Sequence, residues 1–340
     1  MDIKAAIRQL TLGQDLQTDE MTALMRGIMS GQMTDAQIAA FLVALQLKGV
    51  VVSELLGAVT VMRELVTRVD VPDKRHLVDT CGTGGSGTDT FNISTASAMV
   101  AACAGARVAK HGNRGATSKS GSADLLEAAG VKLALDPAGV ARCIETLGVG
   151  FMFAPGHHSA MKHVIGPRRE IGVRTIFNLL GPLTNPASAP NQLLGVYAAS
   201  WVPVMLEVLH ALGSEHVLIV AAEDGLDEIS ISATTRVGEL RNGSICHYSI
   251  TPEDFGIARR EGFAMLQIAT PQESLALVRA ALTGSHEAAA DIVALNAGAA
   301  IYAANVVDDL AAGVSRAREI IRSGAALHKL EALAAFTQSL

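Results

Sequence analysis

Apolar residues recur at helical spacing through the first seventy positions of the chain. Ile38, Phe41, Leu42 and Leu45 fall on one stripe, Thr34 and Gln37 form a capping box ahead of it, and Gly49 stands where such a helix ends. Segments 18–30, closed by Gly31, and 53–69, with Leu55, Val59 and Met62 on one face, read the same way. Residues 1–71 are therefore expected to form a small helical bundle, none of whose side chains has an evident chemical role. Val71-Pro72-Asp73 breaks the pattern. After it, 76–79 reads as a short strand, a helix is expected from about Ser94, and 107–109 reads as a second strand, which makes a βαβ-like unit with parallel strands. Residues 151–153 and 216–222 add strands, and 229–240 and 244–250 read as two more, joined at Arg241-Asn242-Gly243. From Pro271 onward the chain reads as alanine-rich helix, including 288–307.

Composition narrows the class. Of 340 residues, 49% are hydrophobic and 18% charged, enough apolar material for a large core and too much for disorder. A net charge of −6 gives no basic footprint for nucleic acid, so a site for an anion must gather its positive groups locally. Cys81, Cys103, Cys143 and Cys246 are widely spaced and form no C-x-x-C pair, which points to reduced thiols in the cytoplasm. The amino terminus, MDIKAAIRQL, is charged and amphipathic rather than a signal peptide. The longest uncharged run, 175–206, contains Pro182, Pro186, Pro190 and Pro203 and cannot be a membrane helix.

The stretch 79–95, DTCGTGGSGTDTFNIST, has the make-up of a phosphate cradle. Gly82, Gly84, Gly85 and Gly87 free the backbone to turn its N–H groups toward one point, and the following helix adds unpaired donors and the positive end of its dipole. Asn92, Ser94 and Thr95 place polar groups at that end, as caps or as ligand contacts. Gly82, Gly84 and Gly87 satisfy G-x-G-x-x-G, but a dinucleotide site needs an acidic residue about twenty positions on. This chain offers Lys110 there. Gly82 and Gly87 also have the outer spacing of a P-loop, yet Thr88-Asp89 follows where Lys-Ser/Thr is required. A phosphate loop of another kind and a glycine-rich turn that binds nothing both stay open.

A second stretch of this kind, KHGNRGATSKSGS, runs from Lys110 to Ser122 at the end of the second strand. Lys110, Arg114 and Lys119 supply charge, while Gly112, Gly115, Gly121 and the hydroxyls supply pliable backbone and donors. Ligand crevices of open α/β sheets lie off the carboxyl ends of strands, so loops at two successive strand ends would face one crevice. Further on, His157, His158 and His163 do not follow a common metal spacing, whereas Arg168 and Arg169 have the type needed to clamp a carboxylate. Asp227 and Glu228, adjacent carboxylates after the strongest strand, suit magnesium held against a substrate phosphate, or form a plain acidic turn.

GTGG followed by NIST, KHGNR with SGSADLLEA, REIGVRTIFNLLGPLTNP and DGLDE together resemble the signatures of the anthranilate phosphoribosyltransferase family, and the likeness runs over nearly the whole length. The resemblance implies an α/β fold of the nucleoside phosphorylase and phosphoribosyltransferase kind. A small all-helical domain, 1–71, joined by a helical segment near 168–190, would precede a larger domain, 72–340, with a mixed, mainly parallel sheet flanked by helices. It implies a cytoplasmic homodimer that moves phosphoribose from phosphoribosyl pyrophosphate to the amine of anthranilate, an early step of tryptophan synthesis, with two magnesium ions per chain and no nucleic-acid or membrane partner.

Carried over by position, Gly82, Gly85, Ser86, Thr90, Asn92, Ile93, Ser94 and Thr95 would hold the donor, with Lys110, His111, Gly112, Asn113, Arg114, Gly115, Ala116, Thr117, Ser118 and Ser122. Gly82, Asn113 and Arg168 would face anthranilate, His111, His158 and Pro182 would shape its pocket, and Ser94, Asp227 and Glu228 would contact metal. No side-chain nucleophile is implied. The chain departs from the family at two places, with Ser86 where GTGGD is usual and Gly115 where GNRA is usual. The first removes a charge beside the pyrophosphate. A pyrimidine nucleoside phosphorylase is the alternative enzyme reading, and a nucleic-acid-binding relative of the fold is the non-enzyme one; the paired carboxylates and the acidic net charge count against them.

Overall fold

Alternation along the strands decides the layering of the molecule. Seven strands, β1 (Leu77–Gly82), β2 (Arg107–Gly112), β3 (Val149–Phe153), β4 (Asn191–Gly195), β5 (His216–Ala222), β6 (Thr235–Arg241) and β7 (Ser244–Ile250), form one sheet in the order β3-β2-β1-β4-β5-β6-β7. β1 to β5 are parallel, and β6 and β7 extend the sheet in antiparallel fashion. Leu193, Leu218 and Val220 enter a core shared with helices Ile93–Ala104 and Glu287–Ala303. Their neighbours Leu194, Val217, Ile219 and Ala221 enter a second core on the other face, as the two-residue period of a strand requires. The structure is a computed structural model that describes residues 2–85, 87–115 and 118–340, so the roles expected of Ser86, Ala116 and Thr117 lie outside the described residues.

The second core is built by four helices, Ile3–Thr11, Thr18–Met29, Asp35–Lys48 and Val52–Leu65. The capping box stands as read: Gln37 N–H donates to Thr34 Oγ1 at 3.3 Å and Thr34 N–H donates to Gln37 Oε1 at 3.0 Å. The helix expected over 53–69 stops at Leu65, because the next residues are drawn across to the sheet domain. Thr67 N–H donates to the His157 carbonyl and Val69 N–H to the Pro186 carbonyl, at 2.8 and 3.0 Å. In the opposite sense, helices Lys162–Ile171 and Phe177–Leu183 bury Val164, Phe177, Leu179, Leu180 and Leu183 in the bundle's core.

Two further expectations change. The strand read over 229–240 begins at Thr235. Ahead of it Ile229 N–H is taken by Asn296 Oδ1 at 2.8 Å, and the Ser230 and Ser232 hydroxyls both donate to Asp224 Oδ2 at 2.5 Å, so 229–234 folds around Asp224. β4 and the start of helix Trp201–Ala211 fall inside the uncharged, proline-interrupted run, whose pattern marks neither element.

Candidate active site

The strand order reverses between β1 and β4. Such a switch point opens a crevice at the carboxyl ends of the two strands, here at the paired residues Gly82 and Gly195. Asp227 occupies it closely. A Cβ on Gly195 would come within 1.6 Å of the Asp227 carbonyl oxygen, so that strand end depends on glycine, and one on Gly82 would lie 3.0 Å from Asp227 Oδ2, a tight contact that the carboxylate would have to yield to. Glu228, beside it and half-buried, accepts from the Ser94 N–H and thereby caps helix Ile93–Ala104. Burial, then Asp227, push the Glu228 carboxyl up to about 8, and Lys110 pulls it back.

Lys110 lies under the glycine loop. Its buried ammonium donates to the Thr80 carbonyl and to Ser94 Oγ, the latter at 3.2 Å. Burial lowers its pKa, opposed by Asp79, Cys81 and Glu228. Asp79, itself raised by burial, accepts from the His111 N–H at 3.2 Å. These groups form a buried charged floor from the end of β1 to the end of β2.

The loop above turns through Gly84, Gly85 and Gly87, with φ of 64°, 76° and 73°, angles that favour glycine. Asn92 joins it to its neighbours. The Asn92 Oδ1 accepts from Ser120 Oγ at 2.8 Å and Ser274 Oγ at 2.7 Å, and its Nδ2 donates to the Ser120 carbonyl at 3.1 Å. The second loop is organised by Asp124, a residue without an expected role, whose Oδ2 accepts from the N–H groups of Gly115 and Gly121 at 2.9 Å each. Arg114 is committed to Asp124 and Glu127 at 3.0 and 2.7 Å. Ile93 is a core residue whose N–H is taken by the Phe91 carbonyl, and Thr95 is buried. Thr90 forms a bridge with Gln267.

Next to the loops, a cleft of about 470 Å³ opens between the sheet and the bundle. Gly82, His111, Asn113, His158, Arg168 and Pro182, the six residues expected at an aromatic substrate, all line it. His111 Nδ1 donates to the Gly181 carbonyl at 3.3 Å, which leaves its Nε2 to accept from His158 Nε2–H at 3.2 Å. Burial, then the neighbouring histidines, hold His111 down to about 3 and His158 to about 4, so both rings are neutral near pH 7. Arg168 lies 5.2 Å from the centroid of the Phe177 ring, and among the described residues no carboxylate pairs with it. Arg169 is exposed and does not line the cleft.

Residues that the sequence patterns do not mark also stand at or near the cleft. Met62 reaches the cleft from the helical bundle, which gives that bundle a part in the site. Arg174 lies 4.2 Å from the centroid of Tyr197 and donates to the Gly85 carbonyl. Tyr197 in turn receives the Trp201 Nε1–H at 2.9 Å and donates its own N–H to Thr83 Oγ1 at 3.2 Å. Arg174 sits in the stretch REIGVRTIFN, but its target is 89 residues away in sequence, so spacing carries no signal for it.

The sequence matches the Glycosyl transferase family, helical bundle domain, over residues 4–66 and the Glycosyl transferase family, a/b domain, over residues 74–327. An anthranilate phosphoribosyltransferase of Alkalilimnicola ehrlichii is 58% identical over 340 residues, covering 100% of both chains. The chain belongs to the anthranilate phosphoribosyltransferase family. The crystal structure of the anthranilate phosphoribosyltransferase of Thermus thermophilus matches with a TM-score of 0.91 at 44% identity, covering 98% of this chain and 99% of that one. The Saccharomyces cerevisiae anthranilate phosphoribosyltransferase, in complex with phosphoribosyl pyrophosphate and magnesium, matches with a TM-score of 0.90 at 26% identity, covering 99% and 98%. The yeast relative holds magnesium together with an anionic donor. The oxygen set of Asp227, Glu228 and Ser94 fits a hard divalent cation, since burial and the adjacent Asp227 raise the proton affinity of the Glu228 carboxylate and a divalent charge would relieve it.

Proposed function

We infer that the protein transfers the phosphoribosyl group of phosphoribosyl pyrophosphate to the amine of anthranilate, releasing pyrophosphate and giving N-(5-phosphoribosyl)anthranilate for tryptophan synthesis. The observation that carries this is one continuous opening. An apolar-walled cleft holds a guanidinium, Arg168, with which no carboxylate among the described residues pairs, and this cleft meets the glycine loop and the Asp227–Glu228 carboxylates at Gly82. Arg168 takes the anthranilate carboxylate, Asn113 and the neutral His111–His158 pair bound the ring, and the glycine loop presents N–H groups to the donor's phosphates. Ser94, Asp227 and Glu228 would hold magnesium, two ions per chain, which neutralises charge on the departing pyrophosphate. The amine is itself the nucleophile, so the chain's task is to align it with the anomeric carbon and keep the phosphates anchored while the bond to that carbon loosens.

We infer a cytoplasmic homodimer. Leu12 and Leu47, 70% and 82% exposed on the bundle, support burial of that face against a second copy, and sedimentation velocity checks it. The four cysteines are free thiols, as a reducing compartment keeps them. The activity is tested by following loss of anthranilate fluorescence with phosphoribosyl pyrophosphate and magnesium. Consumption that requires both is expected, and a folded protein that leaves anthranilate untouched under those conditions would overturn the reading.

A further inference from the structure

The sheet has a second opening at its other edge, beyond the activity inferred above. A cavity of about 510 Å³ lies at the amino ends of β1, β4 and β5, where Lys74 and Arg75 precede β1, Ser188 precedes β4 and Ser214 precedes β5. Arg63, on helix Val52–Leu65, lines it as well. Its Nε–H donates to the Leu183 carbonyl at 2.7 Å, which fixes the side chain, and among the described residues nothing accepts from its two Nη groups. Burial alone moves the Arg63 pKa, downward, so no carboxylate compensates it. The Lys74 ammonium and the Ser188 and Ser214 hydroxyls likewise have no partner among the described residues. Arg75 is committed to Asp73 at 2.7 Å, and Glu215 is the one carboxylate among the residues lining the cavity.

Four uncommitted donor groups on four separate chain segments thus face one cavity, and two of them are cationic. A planar carboxylate offers two oxygens in one plane, whereas a terminal phosphate offers three, arranged to receive donors from several directions. The volume falls within the range of small-molecule sites. We propose that this cavity at the amino ends of the strands binds a phosphate-bearing small anion, through Arg63 and Lys74 with the Ser188 and Ser214 hydroxyls. The occupant is separated from the catalytic crevice by the length of the strands.

The test is calorimetric titration of the full chain with ribose 5-phosphate and, in a separate arm, with inorganic phosphate. Lys74→Glu and Ser214→Asp remove a donor and add a carboxylate at positions outside the catalytic cleft. Each is expected to weaken binding at least about tenfold, with the thermal unfolding midpoint unchanged. Tighter binding of ribose 5-phosphate than of phosphate identifies an organic phosphate as the occupant, and equal binding identifies the bare anion. No binding of either ligand by the wild type, or equal binding by the wild type and both variants, overturns the proposal.

Discussion

Arg168 is a guanidinium in an apolar cleft with a ring beneath it and, among the described residues, no carboxylate paired with it. Loss of a charge-assisted hydrogen bond costs about 1.5–3 kcal/mol. Arg168→Ala is therefore expected to raise the KM for anthranilate roughly ten- to a hundredfold, with little change for phosphoribosyl pyrophosphate. Steady-state kinetics with each substrate varied would show it, and equal weakening of both would place Arg168 on phosphate instead. The histidine pair gives a pH prediction of definite sign. His111 and His158 are held near 3 and 4, below the ordinary value of about 6.5 for an unfolded chain. The unfolded state thus takes up protons first, so their contribution to stability is complete above about pH 6.5 and is lost progressively as pH falls toward 4. His158→Gln should flatten the fall of Tm across that window, and parallel profiles for variant and wild type would count against the assignment. At this scale the sequence named the residues that meet in the cleft, because they lie in dense local motifs. It was silent on the parts of Met62 and Arg174, which meet distant segments, and on Asp124, whose partners Gly115 and Gly121 are near in sequence but are joined to it through a loop turn that no residue period marks.

Among the elements, β1 and β4 carry the site on their last residues. The approach to 1.6 Å at Gly195 is to backbone, which cannot swing aside as a side chain can. Gly195→Ala must displace Asp227, and is expected to lower kcat at least about tenfold, equivalent to about 1.4 kcal/mol, and to raise the magnesium requirement. Gly166→Ala, with nothing within 4 Å of the added carbon, serves as the control in the same magnesium titration. An unaltered magnesium curve for Gly195→Ala would mean that Asp227 does not need its present place. The glycine loop and the helix after it were legible because their chemistry is local. β4 was not, since a five-residue strand buried along its whole length has no alternation and is flanked here by proline and small residues. The strand read over 229–240 began six residues early, because buried loop residues that satisfy one another by side-chain bonds mimic an apolar strand.

For the whole molecule, the two cores are not two independent bodies. Phe177, Leu179 and Leu180, from the far side of the sequence, and Val217 and Ile219, from β5, are buried against the first four helices. A fragment comprising residues 72–340 is therefore expected to bind a hydrophobic dye and to melt without a cooperative transition, and a fragment with a sharp calorimetric transition would refute that. The succession of a helical bundle and a parallel α/β unit was legible from period alone, but the return of 162–183 into the bundle was not derivable from periodicity, because it depends on which apolar faces are left uncovered. One feature of the crevice has an optical consequence. Trp201 is the chain's sole tryptophan, and its indole N–H is bonded to Tyr197, on which Arg174 rests while holding Gly85 of the glycine loop. Any rearrangement of that loop is relayed through two contacts to a single chromophore excitable at wavelengths that tyrosine does not absorb. Emission excited at the red edge of the indole band should shift as phosphoribosyl pyrophosphate and magnesium are added, and Arg174→Ala should silence the shift, so that the enzyme carries a native indicator of its own donor occupancy.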